Sequence, residues 1–381
     1  MKKPYVPFKL PNSDLINMNK LFKKVIKANT DIAVYNEKLK SSKIRPELIL
    51  SLLSLREAVE STKIEGTQVT MDDMLEYRAD EKASNSDIVE VLNYYKALEI
   101  GEGLLSTLPI STRLIKKIHE VLMSGNVRGK GKIIPGEFRT SQNFIGPKGA
   151  TIENASFIPP EPQLVNEYIS NLERYINEEV ETDNLIKTAI IHAQFETIHP
   201  FSDGNGRAGR ILIPLYLFDK GLISKANFFV SESLEKDKFK YYQTLNDTRV
   251  IVTNKEDDEE QYNKDIEKAR ENFTEWVDFF LSACIDQAAK NIEKIDKINV
   301  LYESTIEKSK RLVRSPGIQD VINIIFEYPV FSTNTIKSRL DIASATLNGY
   351  LKRLVDSKII YTDGKARNRK YFFYDLMNII R

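Results

Sequence analysis

Over most of the chain, apolar residues recur three and four positions apart, the spacing that gathers them on one face of a helix. ELILSLLSLREAVESTKIEG (Glu47–Gly66) is predicted as a long helix ending at Gly66, a residue suited to the position just past a helix end. IVEVLNYYKALEIGEGLL and STRLIKKIHEVLMSG give two more, the second with Ser111 as its N-cap. QLVNEYISNLERYINEEV and LIKTAIIHAQFETI repeat the pattern, and ILIPLYLFDKGLI continues it as a buried helix. A long stretch, Tyr262–Arg311, carries the only tryptophan, Trp276. It follows the acidic block Glu256–Glu260, read as a solvated loop or helix start.

Two segments break this rhythm. Asn126–Pro162 concentrates glycine and proline around the short β-type runs Asn143–Ile145 and Ser156–Ile158, which reads as a hairpin with loops. From Ser315 a helix (Gly317–Glu327) precedes two apolar-periodic segments joined by a short turn. Two strands around Asp363-Gly364 then close the chain. The predicted fold is mainly α: a helical bundle with a β-hairpin, plus a small C-terminal winged helix-turn-helix domain. The expected boundaries are 1–105 for an N-terminal helical region, 106–310 for the central domain and 315–381 for the winged helix.

Composition narrows the function classes. A formal net charge of +1 gives no global field to recruit nucleic acid or membrane, so any such binding must be local. No apolar run approaches the ~20 residues of a membrane span. The single cysteine, Cys284, cannot form an internal disulfide, and the N-terminal residues lack a signal-peptide core. A cytoplasmic protein is expected.

Chemistry concentrates in HPFSDGNGRAGR, His199–Arg210. Gly204-Asn205-Gly206-Arg207-Ala208-Gly209 fits the dinucleotide fingerprint, but helices and not a βαβ unit flank it, which argues against that site. An anion nest fits better: glycines let backbone N–H groups converge at a helix N-terminus. Arg207 and Arg210, three apart, are expected to reach one polyphosphate, and Asn205 to donate to a phosphate oxygen. Asp203 offers a hard oxygen for Mg²⁺. His199 stands at the mouth as a proton acceptor.

The same stretch matches the signature of Fic-domain proteins, His-x-Phe-x-(Asp/Glu)-Gly-Asn-Gly-Arg-x-x-Arg, at every fixed position. GEFRTSQNFIG and ASFIPPEP resemble the family's flap (about 133–160), and the likeness is traced from about Glu47 to Ala289. The resemblance implies a Fic helical bundle that transfers AMP from ATP to a Ser, Thr or Tyr hydroxyl of a protein, itself included, releasing pyrophosphate. His199 would be the base, and Asp203 the ligand of Mg²⁺ or Mn²⁺. Gly204, Asn205, Gly206 and Arg207, with Ala208 and Gly209 in the same turn, would form the anion hole. Arg210 would clamp the γ-phosphate, Phe201 would anchor the loop, and Tyr241 (or Tyr242) would contact adenine. The flap would dock the target by strand pairing.

Upstream, Ser61, Glu65 and Gly66 match the family's inhibitory motif, with Ser61 and Glu65 on one helix face. By resemblance Glu65 would pair with Arg210 and hold the γ-phosphate position. Transfer of another nucleotide, or de-AMPylation, remains an alternative. So does a DNA-binding regulator with a nucleotide-sensing Fic domain, resting on Lys352, Arg353, Lys365, Arg367, Arg369 and Lys370. Homodimer formation through the C-terminal domain is also open.

Overall fold

The acidic block is a helix start. The Asp258 side chain accepts from the Gln261 N–H, and 54 residues follow as one helix, Glu259–Leu312. Acids in its first turn and Lys310 and Arg311 in its last complement the helix dipole. The computed structural model describes residues 3–12, 15–80, 85–128, 133–146, 149–178 and 182–381. In chain order the helices are α1 Met18–Lys40, α2 Pro46–Ile64, α3 Met71–Ala79, α4 Ser86–Leu104, α5 Thr112–Leu122, α6 Val165–Asn177, α7 Asn184–Ile198, α8 Asn205–Asp219, α9 Ser231–Lys236, α10 Lys238–Asp247 and α11, the long helix. The C-terminal part runs α12 Ile318–Glu327, β1 Val330–Ser332, α13 Thr333–Lys337, α14 Ser344–Asp356, β2 Tyr361–Thr362, β3 Lys370–Phe372 and α15 Tyr374–Ile380. The expected end of the α6 segment, 179–180, lies outside the described residues, as do 129–132 and 147–148 of the glycine-rich stretch.

α7 is the centre. Every residue from Leu185 to Ile198 is buried, so the helix has no wet face. Trp276 on α11 is fully buried and donates from Nε1 to the Ala189 carbonyl at 2.9 Å, tying the longest helix to the central one. α1 rides along α11 through a ladder of polar contacts. The Asn17 N–H donates to Thr274 Oγ1 (3.0 Å), Lys24 to Ser282 Oγ (2.9 Å), and Ser42 to Asn299 Oδ1 (2.7 Å).

The C-terminal strands form an antiparallel sheet in the order β1-β3-β2, with Val330 and Tyr361 both opposite Phe372. Leu347, Leu351 and Leu354 bury one face of α14. This unit rests on α2 and α3. Arg56 donates to the Ile380 carbonyl at 3.0 Å, Arg381 pairs with Asp72 at 2.7 Å, and Lys370 pairs with Glu76 at 3.0 Å. Among the described residues, no helix is long and apolar enough to cross a membrane.

α2 buries more than apolar groups. Glu57, 4% exposed, accepts from Tyr94 Oη (2.8 Å) and Ser231 Oγ (2.5 Å). Burial pushes its carboxyl up to about 7, although these bonds and Arg210 favour the charged form. The unfolded chain therefore gives up this proton near pH 4.5, and the folded chain keeps it until about pH 7. Ionisation costs the folded state stability as pH rises through that window. Glu57→Gln should gain on the parent protein between pH 4.5 and 7 and show no relative gain below 4.5, measured by chemical unfolding at several pH values. A pH-independent difference would contradict the assignment.

Candidate active site

The signature is a turn between two buried helices. α7 stops at His199, whose backbone takes the left-handed conformation (φ 49°), uncommon for a residue with a side chain. Five residues on, Gly204 (φ +78°) caps the start of α8, and a Cβ there would stand 2.8 Å from Met123 Sδ. Asn205 closes the turn on itself. Its Oδ1 accepts from the Phe201 N–H at 2.8 Å, and its Nδ2 donates to the Phe201 carbonyl at 2.9 Å. The amide expected on a phosphate is thus spent on the loop.

His119 holds the turn from below, and sequence reasoning missed it. Phe201, fully buried, stacks on its ring at 3.7 Å. The Gly136 N–H donates to Nδ1 at 2.9 Å, so Nε2 carries the proton and donates to the Asp203 carbonyl at 3.0 Å. Burial lowers His119 to about 4 and keeps it neutral. Arg139, at the base of the flap, donates to the carbonyls of His199 (2.9 Å) and Pro160 (2.5 Å). The flap itself closes through one antiparallel bridge between Ile145 and Phe157, with N–H to carbonyl distances of 2.8 and 3.1 Å.

His199 sits half-buried at the edge of this turn, its side chain 19% exposed and its Nδ1 3.3 Å from the Glu196 carbonyl. A bond from Nδ1–H leaves Nε2 as the basic atom. Burial, then the charge of Arg249, holds the imidazole down at about 3, so it is neutral and able to accept a proton.

Arg210, 1% exposed, reaches the end of α2 at Ser61 and Glu65. Nε donates to Ser61 Oγ (2.7 Å), and Nη2 donates to the Ser61 carbonyl (2.9 Å) and to Glu65 Oε1 (2.6 Å). Burial alone would raise the Glu65 carboxyl, but the charge and hydrogen bond of Arg210 outweigh it and hold the group below its ordinary value. A Cβ on Gly206 would lie 2.3 Å from Glu65 Oε1, so glycine there makes room for the carboxylate. Gly66 (φ +98°) follows directly, and Lys238 caps the Ile64 carbonyl at 2.5 Å.

Three other expectations change. Arg207 does not share a site with Arg210: it is 3% exposed and pairs with Glu90 on α4 at 3.1 Å, with Asp203 at 3.7 Å. Ala208 and Gly209 are packed inward. Tyr241 is 1% exposed with its hydroxyl 2.9 Å from His192 Nε2, whereas Tyr242 beside it is 43% exposed. As for a metal, no group of three or more His, Cys, Asp or Glu residues among those described could hold one. Asp203, whose Oδ1 accepts from the Gly204 N–H at 2.6 Å, is one hard oxygen beside the N-terminus of α8. That donor set fits a cation completed by substrate phosphates.

Two family models match the chain: Fic/DOC family over residues 109–217 and Fic/DOC family N-terminal over residues 22–102. The chain belongs to the Fic/DOC family. The N-terminal match begins upstream of Glu47, at residue 22. A probable protein adenylyltransferase of Aquifex aeolicus is 32% identical over 191 residues, 47% of this chain and 52% of that protein. Protein adenylyltransferase Fic of Drosophila melanogaster is 30% identical over 168 residues, 42% of this chain and 32% of that protein. The matches thus span about half or less of these relatives. A Fic family protein from Desulfovibrio desulfuricans superimposes with a TM-score of 0.52 at 18% identity, over 98% of both chains. A Fic domain containing signaling protein from Bacteroides thetaiotaomicron gives 0.52 and 18%, over 70% of this chain and 97% of that one. Both support the Fic fold.

The Asn205 geometry is testable. Asn205→Ala removes two hydrogen bonds from buried backbone groups of Phe201 and should cost about 1–3 kcal/mol of stability. Unchanged thermal and chemical unfolding would contradict this role.

Proposed function

We propose that this Fic/DOC protein transfers AMP from ATP to a hydroxyl side chain of a protein target, with Glu65 as a built-in brake. One observation carries the reading: Arg210, in the second turn of α8, is engaged by Glu65 and Ser61, and the neutral imidazole of His199 lies close enough to Glu65 to feel its charge. The first N–H groups of α8 have no intrahelical acceptors and, with the helix dipole, suit a polyphosphate.

In the reaction, His199 Nε2 takes the proton of the target hydroxyl. The oxygen bonds to the α-phosphorus, the bond to the β-phosphate oxygen breaks, and pyrophosphate leaves. Backbone N–H groups of Asn205, Gly206 and Arg207 hold phosphate oxygens, and Arg210 takes the γ-phosphate once Glu65 withdraws. Asp203, with the phosphates, would hold Mg²⁺ or Mn²⁺, which would supply neutralisation of charge on the departing pyrophosphate. Arg207 acts through its backbone, since its side chain is paired with Glu90. Tyr242, the exposed ring of the pair, is the adenine contact in place of Tyr241. The edge at Ile145 and Phe157 is where an extended target segment would pair.

A DNA-binding role for the C-terminal unit has less support, because four of its six expected cations are engaged within the chain, Lys365 with Asp363 at 3.5 Å and Arg369 with the Lys365 carbonyl at 2.7 Å among them. Arg353 donates to the Leu312 carbonyl at 3.0 Å, and Lys370 pairs with Glu76. Reverse chemistry, with Glu65 orienting water, uses the same residues and is separated by the products.

With α-labelled ATP and Mg²⁺, the parent protein should label itself weakly and Glu65→Gly strongly. Adding His199→Ala to Glu65→Gly should lower transfer by at least about 10²-fold. A Glu65→Gly protein that binds ATP but transfers nothing would refute the brake. Undiminished transfer with His199→Ala would refute the base.

A further inference from the structure

Glu196 lies outside the signature, yet it places a carboxylate beside the base. It stands one turn before His199 on α7, is 7% exposed, and brings Oε2 to 3.9 Å from His199 Nδ1. Its Oε1 is buried with no hydrogen-bond partner among the described residues. The space for this carboxylate comes from α8. A Cβ on Gly209 would stand 2.5 Å from Glu196 Oε1 and 3.1 Å from Phe195. The third glycine of the turn thus has a role that phosphate binding does not give it: a larger residue would displace the carboxylate. Arg249 fixes the backbone of the same turn, donating to the Glu196 carbonyl at 3.3 Å and to Thr197 Oγ1 at 3.4 Å. The guanidinium of Arg249 also lies 3.8 Å over the Phe157 ring of the flap.

We propose that Glu196 is the positioning residue of His199: its backbone carbonyl holds the imidazole proton on Nδ1, and its carboxylate balances the charge formed when Nε2 takes the proton of the attacking hydroxyl. The inference rests on the reading of His199 as the base. Its proton accounting is closed. The hydroxyl proton moves to Nε2, Nδ1 retains its own, and the resulting imidazolium stands against a carboxylate. Without that carboxylate, the positive ring would form beside the guanidinium groups of Arg249 and Arg139, both of which disfavour it.

The groups facing Glu196 are known from each packed element. Arg210 on α8 and Arg249 after α10 favour its charged form, whereas Glu65, one residue past α2, opposes it. His192, one turn back on α7, and Tyr241 on α10 complete its surroundings. Burial wins and pushes the carboxyl up to about 7. The charged form that serves His199 therefore grows as pH rises through about 7, and activity rises with it.

With only three histidines in the chain, ¹⁵N-histidine NMR of the 381-residue chain can follow His199 directly. The expected result is an Nδ1–H tautomer whose ring nitrogen shifts pass through a step near pH 7, absent in Glu196→Gln. Gly209→Ala, which crowds the carboxylate without removing it, should also abolish the step. An Nε2–H tautomer, or the same step in Glu196→Gln, would overturn the proposal whether or not the protein transfers nucleotide. In the Glu65→Gly background, Glu196→Gln should lower kcat at least about tenfold, leave KM for ATP within about threefold, and remove the limb near pH 7. Glu196→Asp, which still ionises, should keep that limb. An unchanged kcat and pH profile in Glu196→Gln would overturn the proposal too. Failure of the Glu65→Gly protein itself to transfer would instead count against the brake, and the NMR result would still decide the pairing.

Discussion

A guanidinium deprived of water needs an anion beside it, and in this chain that guanidinium is Arg210. It is 1% exposed, held between α2 and α8, and its charge is met by Glu65 at 2.6 Å. Glu65 is the wetter partner, its side chain 33% exposed, but its loss would leave the buried Arg210 charge uncompensated. The site therefore accepts only a substitution of one anion for another. On the proposed reading, the γ-phosphate of ATP is that second anion. This makes the brake a competition at one atom group, with no need for a large rearrangement. The close approach of Gly206 to Glu65 says the same in steric terms: α8 is shaped to admit the carboxylate.

The position of that carboxylate is set far from the turn. Glu65 ends α2, and α2 is held by Arg56 to the last turn of the chain and by Glu57 to α4 and α9. α3, which follows the motif, carries Asp72 and Glu76, which pair with Arg381 and Lys370. The C-terminal unit thus grips the elements on both sides of Glu65. On the other side of the site, His119 joins α5, the flap base at Gly136 and the loop carbonyl of Asp203 through a single neutral ring. These tethers explain how a short polar turn keeps one shape between two buried helices.

How much of this was legible in the sequence follows from range. The end of α2 at Glu65-Gly66, the Ser111 cap of α5 and the start of α11 at the acidic block rest on local signals, and the chain carries them in plain form. The β1 strand gave no such signal: three residues are too few for a periodicity. α1 is amphipathic, but its partner α11 begins more than two hundred residues later. At the site, the residue types were readable and several of their directions were not. Arg207 turned out to face Glu90, 117 positions away, and His119 to support Asp203 across 84. Asn205 bonds its own loop, and Tyr241 points into the core while Tyr242 does not. Those outcomes depend on which side of a helix its neighbours occupy, and no spacing rule encodes that.

The most direct test of the competition at Arg210 is a structure of the Glu65→Gly protein with Mg²⁺ and a non-hydrolysable ATP analogue. The account predicts the γ-phosphate on the Arg210 guanidinium, where the Glu65 carboxylate now lies, with the α-phosphorus facing His199 Nε2. A triphosphate bound elsewhere, with Arg210 still turned to Ser61 alone, would contradict it.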